Sequence, residues 1–93
     1  MSAQAIDHIK SLLTRKGWQF ENIEISRDKT EAVVLWSRDR GEHGTEWGTH
    51  EFYMPNDEFC FGHYFIEGEQ SAITDYRVRC DRMRASCDRR AAA

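Results

Sequence analysis

Four histidines and three cysteines are the side chains of this 93-residue chain best suited to chemistry. Cys60 and His63 stand at a Cys-x-x-His spacing, which suits a metal or a thiolate–imidazolium pair. A tetrahedral site needs further ligands, and no second Cys-x-x-Cys or histidine pair supplies them. His43 and His50 bracket a loop that also holds Glu46, with Glu51 next to it, and two such carboxylates could share acid–base work. Gly41, Gly44 and Gly48 are too sparse for a phosphate-cradling loop, no Lys follows them, and nothing marks a nucleophile elbow. The expectation is no catalytic residue, no metal and no cofactor. A thiol or metal-dependent small enzyme around Cys60 and His63 is kept as an alternative.

The cysteines also bear on compartment. Three thiols cannot close a full disulfide framework. On a helix, Cys80 and Cys87 would lie roughly 10 Å apart, beyond the reach of about 7 Å for a disulfide. Free thiols are expected, with Cys60 packed inside as a small hydrophobe. The N-terminus shows no basic segment leading into an apolar one, so a cytoplasmic location is expected.

Charge is the more informative pattern. The formal charge is −3, from 13 Lys and Arg against 16 Asp and Glu. Residues 41–76 carry eight acids (Glu42, Glu46, Glu51, Asp57, Glu58, Glu67, Glu69 and Asp75) and no Lys or Arg, whereas residues 77–93 carry six arginines and two aspartates. A long acidic stretch suits a basic protein partner, because complementary potential speeds encounter and fixes register. The acids could equally be neutralised within the fold, and Arg77 and Arg79 could pair with Glu67, Glu69 or Asp75. The opposite reading is a nucleic-acid-binding accessory protein using Arg77, Arg79, Arg82 and Arg84 on phosphates. At 100° per residue these arginines ring the helix instead of forming one face, and the pI of about 5.8 argues against nucleic acid.

The elements that must carry these residues follow from hydrophobic spacing. Ile6, Ile9, Leu12 and Leu13 predict a helix over 3–16, with Ser2 as its cap and Lys16-Gly17 as its stop. Strands are predicted over 18–26, 31–37, 47–54 and, more briefly, 59–65. The first places Trp18 and Phe20 on one face and Ile23 and Ile25 on the other, a parity change that signals a bulge near Asn22. The second is apolar on both faces and reads as central. In the third, Gly48, His50, Phe52 and Met54 share a face. Gly62 marks a bulge or an early exit in the fourth. Ile73, Tyr76, Cys80, Met83 and Cys87 form one stripe of a second helix over 70–88.

Hydrophobic residues at 40% exclude a disordered acidic tail, and no apolar run approaches membrane length. One domain covering 1–93 is expected. Its class is α+β, ordered α-β-β-β-(β)-α. The predicted form is a two-layer sandwich of three or four antiparallel strands, with both helices on one face. The molecule is expected to be a monomer or a homodimer.

The stretch Gly62-His63-Tyr64-Phe65, followed by Ala72 and Asp75-Tyr76, resembles small accessory proteins of bacterial mobile elements. That resemblance implies a protein partner. Charge and loop composition select Glu42, Glu46, Trp47, Glu51, Asp57 and Glu58 as the partner-binding residues, with Trp47 either an exposed anchor or turned inward. The expected function is a small non-enzymatic inhibitor from a phage or plasmid. Its acidic surface would mask a basic, nucleic-acid-binding surface of a bacterial defence complex, of the anti-CRISPR or antirestriction type.

Overall fold

The structure is a computed structural model that describes residues 2–66 and 68–93, apart from the side chain of Ser2. The Ser2 cap and Glu67 therefore lie outside the described residues. Helix α1 spans Ser2–Arg15, strands β1 to β4 span Gln19–Ile25, Glu31–Asp39, Thr45–Tyr53 and Glu58–Ile66, and helix α2 spans Glu69–Ala92. The strands form one antiparallel sheet in the order β1-β2-β3-β4. The α+β class and the element order are those expected from the sequence.

The layering is not. Ile9 and Leu13 of α1 share a buried cluster with Ala32, Val34, Trp36 and Phe52. Ala72, Tyr76, Cys80 and Met83 of α2 share another with Val33 and Leu35. Side chains alternate between faces along a strand, so β2 feeds even-numbered residues to α1 and odd-numbered ones to α2. The helices cover opposite faces, giving three layers instead of two. A strand apolar on both sides requires cover on both sides.

Local chemistry sets the joins. Helix α1 stops where Gly17 takes φ +79°, with Gly17 N–H donating to Thr14 O and Trp18 N–H to Leu13 O. That pair of bonds is a Schellman stop, which glycine adopts without strain. A bulge between Phe20 and Asn22 brings Ile23 and Ile25 onto the same face as Phe20, with Trp18 packed there too. The parity change in the sequence is that bulge, and it unites the two apolar pairs instead of separating them. In β4 the register shifts opposite His50, where Phe61 and Gly62 intervene. Phe61 adopts φ +53° there. Beyond the bulge the strand continues to Ile66.

Candidate partner-binding surface

The α1 side of the sheet is closed by rings. Trp18 and Trp36 stack at 4.2 Å with planes 6° apart, and His50 stacks on Trp18 at 4.9 Å. Gly48 makes room, since a Cβ there would lie 2.1 Å from the Trp36 ring. Trp36 Nε1–H donates to His50 Nδ1 at 3.0 Å, so Nε2 carries the ring proton and faces the Tyr64 hydroxyl at 3.3 Å. Burial first, then the charges of Arg79, Lys16 and His63, lower the His50 pKa from 6.5 to about 4. His50 is thus a neutral core residue.

The α2 side is organised by an arginine. Arg79 is 5% exposed, and its guanidinium donates to Phe61 O at 2.5 Å and reaches Asp75 Oδ2 at 3.3 Å and Glu51 Oε2 at 3.8 Å. Asp75 also accepts from Thr49 Oγ1 at 2.5 Å and pairs with His63 Nδ1 at 3.0 Å. Burial raises the Asp75 pKa, but the bonds from Thr49 and His63 and the charges of His63 and Arg79 prevail and hold it low. Charge alone groups Arg79 with the phosphate-contact candidates. It is instead a core residue that fixes the β4 bulge to α2. Of its companions, Arg84 is held by Glu24 and Asp81, while Arg77 and Arg82 are exposed.

The six expected partner-binding residues fall into different environments. Glu42 is exposed in the one-turn segment Gly41–His43. Glu46, expected on an open acidic surface, is 5% exposed and paired with Arg38 and with Arg40 at 3.6 Å. Trp47 is half-buried and turned inward against the α2-side cluster. Asp57 bonds to His8 at 2.8 Å. Glu58 is exposed and Glu51 half-exposed and within reach of Arg79, both on the α2 side of β3 and β4, near the turn that joins these strands. The loop 38–46 is mostly absorbed into β2 and β3, whose ends pair as far as Asp39 and Thr45. The acids thus lie at opposite ends of the sheet, and at each end one of them faces arginine, Glu46 with Arg38 and Arg40 and Glu51 with Arg79.

Around Glu51 and Glu58 lies a feature that the sequence reading missed. A cavity of about 180 Å³ is bounded by these acids together with Glu31, Tyr53, Cys60 and Phe61. Tyr53 is 48% exposed and Phe61 73%. No Lys or Arg lines the cavity, but Arg90 pairs with its Glu31 at 2.7 Å and Arg79 reaches its Glu51 at 3.8 Å. The bulge exposes Phe61, and the signal for it was Gly62 inside a run of alternating aromatics.

Cys60 and His63 do not form a nucleophilic pair. His63 is engaged by Asp75, and Cys60 is half-buried with its Sγ 3.7 Å from Glu58 O. Burial, then the charges of Glu58 and Glu51, push the Cys60 thiol up, opposite to what thiolate chemistry needs. Cys60 is thus less enclosed than expected, whereas Cys80 and Cys87 are buried free thiols. Among the described residues no three His, Cys, Asp or Glu side chains gather as a metal site, and no helix is long and apolar enough to cross a membrane. No protein-family model, curated protein or solved structure matches the chain.

Proposed function

We propose that this protein is a non-enzymatic protein-binding domain whose partner presents a basic segment to the surface formed by Glu51, Glu58, Tyr53 and Phe61. The observation that carries the reading is the pairing of two exposed aromatic rings with the exposed Glu58 in one cavity. A Lys or Arg entering it meets carboxylates at its charged end and ring faces along its stem. Exposed rings rimmed by charge are the usual composition of an interface anchor. The partner class this fits is a protein with a Lys- and Arg-rich surface, such as a nucleic-acid-handling complex of bacterial defence. Covering that surface would inhibit it.

The test is capture from nuclease-treated bacterial lysate by tagged protein, beside a Glu51→Lys/Glu58→Lys variant whose fold is checked by circular dichroism. The expected result is a protein partner that survives nuclease, weakens with added salt and is lost with the variant. Capture that disappears with nuclease would transfer the function to the exposed arginines of α2. A partner held equally by the folded variant would overturn the proposed surface.

A further inference from the structure

We infer that the partner's basic segment binds as an added β-strand along the outer edge of β4; this rests on the function proposed above. The two edges of the sheet differ in a way that points there. The β1 edge is polar, with Gln19, Glu21, Asn22 and Glu24 along it and a bulge in its middle. Glu24 is further clasped by Arg84. Polar side chains are one way natural sheets discourage edge pairing; the bulge is no part of the contrast, since β4 carries one too. On β4, Phe61, Tyr64 and Ile66 are 73%, 55% and 65% exposed, and beyond the bulge His63 to Ile66 continue in regular register with β3. In an antiparallel ladder alternate residues direct their N–H and C=O groups away from the neighbouring strand. This edge therefore offers both a backbone template and apolar side chains.

The faces of β4 specify the chemistry of the added strand. Glu58 and Cys60 lie across from Tyr53 and Glu51 on the α2 side, while Tyr64 and Ile66 lie across from Gly48 and Glu46 on the α1 side. A strand laid alongside alternates its side chains between the same two faces. Its α2-side residues meet Glu58 before the bulge and His63 and Phe65 beyond it, and its α1-side residues meet Tyr64 and Ile66. The matching segment carries Lys or Arg towards the Glu58 end and apolar residues at the positions beside Tyr64 and Ile66. A second copy of this chain would bring Glu58 and no Lys or Arg, since β4 has neither.

The experiment titrates fluorescent peptides alternating Lys and Val into the intact protein, each peptide made plain and with the backbone nitrogens of alternate residues methylated. Methylation on the pairing edge should weaken binding roughly 30-fold by removing backbone bonds, and methylation on the opposite edge should leave it unchanged. Amide exchange of β4 residues 62–66 should slow on binding, with β1 unaffected. Equal affinity for all methylated forms, or no binding by any peptide of the set, overturns strand addition. If methylation is harmless yet Glu51→Lys/Glu58→Lys abolishes binding, strand addition fails while the proposed function stands. If methylation matters and that variant binds normally, the acidic surface is the part that fails. A dimer in sedimentation that protects the same amides without peptide assigns the edge to a second copy and also overturns the inference.

Discussion

The two faces of one sheet are built on different physics. Towards α1, β2 presents Ala32, Val34 and Trp36, and the layer is closed by stacked rings around an uncharged His50. Towards α2, β2 presents Val33 and Leu35, and their cluster borders a network joining Arg79, Asp75, His63, Thr49 and Glu51. The first face depends on apolar area and ring fit, which carry most of the folding energy. The second depends on matched charges, which contribute less net stability but punish the loss of one member. The exposed aromatics and the open acids sit where β4 leaves both layers. Core energetics and the candidate interface meet at Arg79, which donates to Phe61 O and faces Glu51.

The comparison breaks most visibly at Trp36. Trp36→Ala removes the ring on which Trp18 stacks and the hydrogen bond donor to His50, and Gly48 has no side chain to fill the space. The expected cost is about 3–5 kcal/mol in denaturant unfolding, enough to leave a domain of this size largely unfolded. A loss below about 1 kcal/mol would show that the α1 face is not the dominant core.

Acidification attacks the same face next. The His50 pKa is about 4 when folded against 6.5 as a free side chain, so the unfolded chain binds the extra proton first. Stability from this group is complete above pH 6.5 and falls as the pH drops towards 4, by roughly 3 kcal/mol at the lower end. Asp75, held low, adds its own loss only at more acid pH, below its ordinary value. Urea unfolding from pH 7 to 4 measures the slope, and His50→Leu should flatten it. An unchanged slope in that variant would place the acid sensitivity elsewhere.

How much of this was readable beforehand depends on the range of the signal. Gly17, the alternation in β3 and the stripe Tyr76, Cys80, Met83 and Cys87 are local patterns, and each appears where spacing placed it. The double-sided β2 was legible too, yet its consequence, a helix on each face, follows only when the whole sheet is considered. Arg79 lies among five other arginines that composition cannot tell apart. Its burial arises from two long-range partners, Phe61 O and Glu51, contributed by β4 and β3. The same applies to Glu46, which Arg38 neutralises across the β2–β3 pairing. Opposite charges across a strand pair carry no mark in a sequence until the register is known.

On the α2 face, Arg79→Ala should cost about 2–3 kcal/mol, because it leaves Asp75 without its cation and the Phe61 carbonyl without its donor. Arg79→Lys should recover little, since one ammonium cannot reproduce a planar fork shared by acceptors on different elements. Amide exchange in the β4 bulge would localise the loss. A variant with Lys as stable as the original would mean that net charge, and not the fork, holds α2 to β4.

The smallest effect belongs to the far end of the same helix. Arg84 meets Glu24 of β1 through two guanidinium nitrogens and Asp81 through a third at 3.0 Å, but the Arg84 side chain is 60% exposed. Water and salt screen such a pair, and ordering the long side chain offsets part of its attraction. Arg84→Ala should therefore destabilise the fold far less than Arg79→Ala, and its effect should vanish in molar salt. The Arg79→Ala loss should persist there, because the Arg79 side chain itself is buried between helix and sheet. Measuring both variants at low and high salt separates the ion pair that merely decorates α2 from the one that docks it. Equal salt dependence would mean that Arg79 is solvated like Arg84, and the contrast between a charged core face and a charged surface would collapse.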